Sequence, residues 1–247
     1  MSHAVGPAAA AWHDLECGAY TADLPLWREL AQRATGPVLD VGAGTGRVAL
    51  ELARVGHRIT ALDSDGKLLG RLRERAAALG LEVTTVTADA RAFELDERFG
   101  LCIVPMQTIQ LLGGATGRAA FLTCAREHLA PGGLLAIAIT SELEPFELRD
   151  GEDGPLPDVA EAEDGAVYSS HPTAVRRDGD GHVLERRREF VTPSGELSVE
   201  LNRIRLDGID ADSLEREARA CGLAPVSRME IAPTFDHIGS TVVIVGG

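Results

Sequence analysis

Apolar and polar positions alternate between two periods along the first 140 residues. Leu15, Leu24, Leu26, Trp27, Leu30 and Ala31 predict one or two short amphipathic helices. Asp23 is the N-cap candidate of the second and Pro25 suits its first turn. Gly36-Pro37 stops it, and residues 1 to about 12 are expected to be mobile. An apolar strand from Val38 ends on Asp40, Thr45–Val55 predicts a helix closed by Gly56, and Arg58–Asp63 a second strand. Leu68, Leu69, Leu72, Ala76 and Leu79 form the next helix face. Leu81–Thr87 and Phe99–Val104 predict strands three and four, the latter stopped by Pro105. Ala115–Leu129 predicts a helix, and Leu134–Ile139 is an unbroken apolar run, as in a strand buried on both faces.

Alternating strand and helix predicts a doubly wound, mostly parallel α/β sheet with right-handed crossovers. Ligands in such sheets bind beyond the carboxyl ends of the strands. Asp40, Asp63, Asp89 and Met106-Gln107 all fall at predicted strand ends. Between the first strand and its helix the chain reads Asp40-Val41-Gly42-Ala43-Gly44-Thr45-Gly46. Glycine lets the backbone take positive φ and lets a ligand lie against it, while helix N-terminal amides point at that ligand. The dinucleotide pattern G-x-G-x-x-G would require glycine where Arg47 stands. Asp63 follows Gly44 by 19 residues, the spacing at which a carboxylate accepts hydrogen bonds from ribose hydroxyls.

The pattern then changes. Glu142–Asp164 holds ten acids and one base, with three prolines, and reads as a solvated connector. From Ala166 to Leu206 short β-type segments are divided by turns at 178–181 and 193–195. Leu197, Val199 and Leu201 alternate with polar residues, then the phase switches to Ile204 and Leu206. A bulge, or a strand passing between two surroundings, would produce that switch. Asp210–Cys221 returns to a helix, and Ala224–Ile231 and Ser240–Val245 predict a closing strand pair.

The D-x-G-x-G-x-G turn resembles motif I of the class I S-adenosylmethionine (SAM) methyltransferases. Ala88-Asp89-Ala90, Leu101–Leu112 and Leu129-Ala130-Pro131-Gly132-Gly133-Leu134 are similar to later motifs of that family. The resemblance implies a seven-stranded Rossmann-like methyltransferase sheet whose last strand is antiparallel, with a small antiparallel β insertion after strand five. It implies SAM as cofactor. Tyr20, Asp40, Gly42, Ala43, Gly44, Gly46, Asp63, Ser64, Asp89, Ala90 and Met106 are then the expected cofactor residues. Asp63 would take the ribose and Asp89 the adenine amino group. Four regions are expected: a helical lid (1–36), the SAM-binding core (37–140), an acidic connector and β insertion covering the acceptor (141–208), and a closing helix and hairpin (209–247). No N/D-P-P-Y signature follows strand four, where Pro105-Met106-Gln107-Thr108 stands. That departure turns the expectation away from nucleic-acid amines and leaves the acceptor open, while the β insertion resembles that of small-molecule methyltransferases, where it helps cover the acceptor.

Composition narrows the reading further. A formal charge of −14 and 4% aromatics argue against wrapping phosphate backbones or stacking single-stranded bases. The four cysteines are scattered, without C-x-x-C, so core thiols in a reducing cytoplasm are expected and no metal site. No apolar run is long enough to span a membrane, and the Ala4–Trp12 stretch lacks the basic flank of a signal peptide. A monomer or homodimer is expected. His237, beside Asp236 in the loop between the closing strands, is the candidate general base, and Gln107 a candidate for holding the acceptor. His57, His128, His171 and His182 read as structural or surface residues, and Arg186-Arg187-Arg188 as a solvated strand face. The readings to be separated are methyl transfer to an N or O atom of a metabolite, a SAM-fold enzyme or binding protein without methyl transfer, and a nicotinamide-dependent oxidoreductase.

Overall fold

The computed structural model describes residues 9–140, 143–149, 152, 154–234 and 237–247. In chain order its elements begin with α1 (Ala9–Cys17), α2 (Leu24–Arg33), β1 (Val38–Val41), α3 (Arg47–Arg54), β2 (Ile59–Asp63) and α4 (Gly66–Ala78). β3 (Val83–Thr87), β4 (Phe99–Val104), a 3-10 turn (Thr108–Leu111), α5 (Gly114–His128) and β5 (Leu129–Ile139) follow. Then come β6 (Phe146–Glu147), β7 (Asp158–Glu161), β8 (Val167–Asp178), β9 (Gly181–Val191) and β10 (Leu197–Leu206). The chain closes with α6 (Ala211–Ala220), β11 (Ala224–Ile231) and β12 (Ser240–Gly246). The contacts divide into two compact units at Ala19/Tyr20, Glu142/Leu143 and Leu206/Asp207. The N-terminal segment expected as one lid therefore divides, α1 going with the insertion and α2 with the core.

The core unit is a seven-stranded sheet in the order β11-β12-β5-β4-β1-β2-β3. β1 to β5 pair parallel, while β12 runs antiparallel to both β5 and β11. Alternate strand residues face opposite layers, as the period of two requires. Val38, Ile59, Leu101, Ile103 and Ala136 pack with Trp27 of α2, Leu52 of α3 and Leu69 and Leu72 of α4. Leu39, Val41, Cys102, Leu135 and Ile137 pack with Phe121 of α5 and Leu214 of α6. β5 begins at Leu129, five residues before the expected start; its register with β4 jumps from Phe99↔Leu129 to Leu101↔Leu134, which absorbs the Pro131-Gly132-Gly133 turn.

The insertion unit is an antiparallel sheet, β10-β9-β8-β6, with β7 also on β8. Helix α1 belongs to it, so residues 9–12, expected to be mobile, form the start of a helix. Trp12 is buried and meets Tyr168 edge-on at 5.2 Å. Arg186 and Arg188 are not a solvated face. Arg188 pairs with Glu16 of α1 at 2.7 Å and lies over Trp12, while Arg186 bonds Asp158 and, at 2.8 Å, the Ser170 hydroxyl. Arg187 is on the other face, paired with Glu189. The β9–β10 register is unbroken from Leu197↔Val191 to Leu206↔His182, so no bulge causes the phase switch. The strand changes surroundings instead: Leu197, Val199 and Leu201 are 59%, 47% and 59% exposed, whereas Leu206 is buried.

Candidate active site

The glycine turn is built by backbone geometry that side chains resist. Gly42, Gly44 and Gly46 have φ of 72°, 55° and 92°. A Cβ on Gly42 would lie 2.5 Å from the Thr108 side chain, and one on Gly46 2.6 Å from Leu72. Thr108 thus folds the segment after β4 onto the turn, its hydroxyl donating to the Pro105 carbonyl at 3.1 Å. Just before it Met106 has φ 55°, a conformation uncommon for a residue with a side chain and characteristic of constrained sites.

Asp63, at the end of β2, accepts the Gly44 amide on one oxygen and the Asp65 amide on the other, both at 2.8 Å. It ties the second strand's end to the turn and keeps lone pairs for further donors. Ser64 beside it is exposed. Asp89 is exposed and gripped by Arg91 through its guanidinium and its amide, which holds the carboxyl down at about 2. The neighbouring Ala90 is buried.

Asp40 differs from both. It is 1% exposed, and neither carboxylate oxygen has a hydrogen-bond partner. Burial pushes its carboxyl up to about 7; Asp63 and Asp23 push the same way, against Arg47 and the Ala49 amide. Arg47, which occupies the dinucleotide motif's third glycine place, reaches away from the turn to the N-terminal segment. It donates to Asp23 at 2.5 and 2.7 Å and to the Tyr20 carbonyl at 2.8 Å. Asp23 sits at the N-cap position of α2 without capping it; its carboxylate also takes the Trp27 indole N–H at 2.8 Å.

The Tyr20 ring lies 5.1 Å from the Arg47 guanidinium and 4.6 Å from the His237 ring, which is stacked on it at 27°. The Tyr20 hydroxyl is buried without a partner. His237 is held in a turn by Thr234, whose hydroxyl accepts its amide at 3.1 Å and whose amide donates to its carbonyl at 2.8 Å. Asp236 lies outside the described residues. Gln107 precedes the 3-10 turn, half-buried. Sequence reasoning missed Gln110, which is buried. Its carboxamide donates to the Thr140 and Asp207 carbonyls at 3.0 and 2.9 Å and accepts the Thr140 amide at 2.9 Å. His128 is structural as expected, bonding Cys124 through Nδ1 and the Leu95 amide through Nε2. Among the described residues there is no cluster fit to hold a metal, and no helix long and apolar enough to cross a membrane.

Fold and turn define a doubly wound α/β protein whose glycines follow the spacing that resembles methyltransferase motif I. Residues 38–133 match the family model described as a methyltransferase domain. Among curated proteins, the chain is 31% identical over 115 residues to the cypemycin N-terminal methyltransferase of Streptomyces sp, covering 47% of this chain and 46% of that one. The chain thus spans about half the length of that relative. Among solved structures it is similar to the sugar N-methyltransferase KedS8 from Streptoalloteichus sp ATCC 53650, at TM-score 0.71 and 18% identity, over 99% of this chain and 95% of that one. It is also similar to SAM-bound CalS10, an amino pentose methyltransferase from Micromonospora echinaspora, at TM-score 0.67 and 18% identity, over 99% of each chain. Residues 38–133 thus match a methyltransferase domain, and the α/β core has the fold of those solved methyltransferases.

Proposed function

We propose that this protein transfers the methyl group of SAM to a nitrogen or oxygen of a small-molecule metabolite, with an amine the favoured acceptor. The observation that carries the cofactor part is the Asp40 carboxylate, buried beside the glycine turn with both oxygens unpartnered. Buried polar atoms are rarely left so, and an unpaired buried carboxylate is costly. SAM's amino-acid portion carries an ammonium to fit it. Tyr20 offers a second orphaned buried group, its hydroxyl. The residues therefore fit the cofactor.

Bound SAM supplies an electrophilic methyl on a sulfonium. Asp40 balances the ammonium, and Asp63 accepts ribose hydroxyls on the lone pairs left by the Gly44 and Asp65 amides. Gly42, Ala43, Gly44, Gly46 and Ser64 form the wall against which the cofactor lies. Ala90, Met106 and Asp89 would hold the base, Asp89 giving up a hydrogen bond with Arg91 to accept from the adenine amine. His237, its ring steadied by Tyr20, takes the proton that frees the acceptor's lone pair, and Gln107 orients that acceptor. Catalysis otherwise rests on positioning.

The amine preference is supported by the relatives, whose names specify N-terminal, sugar N- and amino pentose methylation. The charge of −14 supports a metabolite rather than a nucleic acid as acceptor. We further propose that the protein acts in the cytoplasm as a monomer or homodimer. Calorimetric titration with SAM, S-adenosylhomocysteine and NAD tests the cofactor reading. The first two should bind and NAD should not; binding of NAD alone would restore the oxidoreductase reading.

A further inference from the structure

The surroundings of Asp40 imply more than a binding contact. The carboxyl lies at the end of a fully buried strand, among groups contributed by each neighbouring element. From α3 comes Arg47, from β2 Asp63, from the start of α2 Asp23, and from β4 the buried thiol of Cys102, which burial and Asp40 keep protonated. Arg47 is the single cation among them, and its guanidinium is already engaged by both Asp23 oxygens and the Tyr20 carbonyl. Asp63 is likewise engaged, with two backbone amides. Two carboxylates therefore crowd a third whose oxygens have no hydrogen-bond partner and which only the Ala49 amide and the engaged Arg47 guanidinium favour as a charge. An ionised Asp40 would be a desolvated charge beside two like charges, and protonation removes that cost.

We propose that Asp40 carries a proton in the free protein near neutral pH and releases it to solvent when the cofactor's ammonium takes the proton's place. The inference rests on the cofactor reading above and adds a consequence to it: cofactor capture is an exchange of one positive charge for another, so affinity depends on pH. The balance is simple. Protonated Asp40 plus the ammonium ligand gives the carboxylate–ammonium pair plus one hydronium equivalent taken by buffer. The burial-raised titration, near 7, sets the window. The bound ion pair lowers it, so the complex holds fewer protons than the free protein. Affinity must then rise with pH below about 7 and level off above it. S-adenosylhomocysteine is the suitable probe, since it carries the same ammonium without turnover. Measurements stay below pH 7, because a free α-amino group itself begins to titrate at about 7.7–8.0.

The experiment is calorimetric titration of the full chain with S-adenosylhomocysteine at pH 5.5, 6.0 and 6.5, in buffers of different ionisation enthalpy. Close to one proton should be released per ligand at pH 6.0, and Kd should fall about eightfold from pH 5.5 to 6.5. Asp40→Asn should bind more weakly, with no proton release and a pH-independent Kd. Infrared difference spectra need no variant. The wild type at pH 6 should show a protonated-carboxyl C=O band that disappears on adding ligand. Tight binding without proton release, or release that persists in Asp40→Asn, overturns the inference and leaves the cofactor reading standing. Failure to bind S-adenosylhomocysteine at any pH overturns the cofactor reading and this inference with it.

Discussion

The rings of His237 and Tyr20 stack at 4.6 Å, joining the loop between β11 and β12 to the segment before α2, 217 positions apart in sequence. Tyr20 is in turn fixed by Arg47, so the histidine rests on a braced surface. As general base, His237 should be replaceable neither by Ala nor by Phe. Both variants should lose about 10²–10⁴ in kcat with little change in SAM affinity. Recovery of activity in His237→Phe would show that the ring matters for stacking and not for proton transfer.

Asp63 ties the Gly44 and Asp65 amides together in the structure and is proposed to take the ribose hydroxyls, and its removal should show both roles. Asp63→Ala leaves the Gly44 and Asp65 amides without their acceptor and removes the ribose contact. Hydrogen bonds to a charged group contribute about 1.5–3 kcal/mol each. SAM affinity should fall at least tenfold, and denaturant unfolding should show lower stability as well. A variant with unchanged midpoint and unchanged SAM affinity would remove Asp63 from both roles.

Arg47→Gly restores the dinucleotide glycine pattern in one step. It also leaves Asp23 buried without its guanidinium, and breaking a buried pair costs about 3–5 kcal/mol. The variant should be strongly destabilised by urea titration and should gain no NAD binding. Gain of NAD affinity without loss of stability would mean that Arg47 stands there to discriminate cofactors and not to hold the N-terminal segment.

The parts of this site that were legible in sequence are local. Asp40, Gly42, Gly44 and Gly46 lie within seven consecutive residues, and the strand-to-helix context around them is carried by periodicity over a dozen more. Asp63 follows from a fixed βαβ spacing. Asp23 with Arg47, Gln110 with Asp207, and Tyr20 with His237 lie 24, 97 and 217 positions apart, and no local pattern records such pairs. Arg47 was visible only as the residue that broke a motif, though an arginine entering a buried helix N-terminus needs an acid partner. The Arg186–Arg188 run misled for a related reason. Alternation sends Arg186 and Arg188 to one face of β9, but only the structure shows Glu16 of α1 covering that face.

Asp40 also links stability to pH. Its folded-state carboxyl titrates near 7, above the ordinary value of 3.8, so the folded state binds more protons between those values. For a raised carboxyl the contribution runs opposite to an ion-paired acid: stability is highest below the unfolded value and is lost as pH rises through the folded one. Ligand-free Asp40→Asn should therefore match the wild type near pH 4 and exceed it at pH 8, by about 2–4 kcal/mol. Thermal or urea unfolding at the two pH values checks this. Equal destabilisation at both would mean that Asp40 is ionised and paired in the free protein.

The most direct measurement is turnover itself. Purified protein is incubated with SAM carrying an isotopically labelled methyl group and a panel of amino sugars, glycosylated amines, peptide N-termini and phenolic metabolites, and the products are read by mass spectrometry. Label should appear in at least one small-molecule acceptor, on nitrogen in preference to oxygen, with one S-adenosylhomocysteine formed per methyl transferred and much less from Asp63→Ala at the same subsaturating SAM concentration. Tight SAM binding with no labelled acceptor across the panel, and label transferred instead to RNA or DNA, would contradict the assignment of a small-molecule methyltransferase.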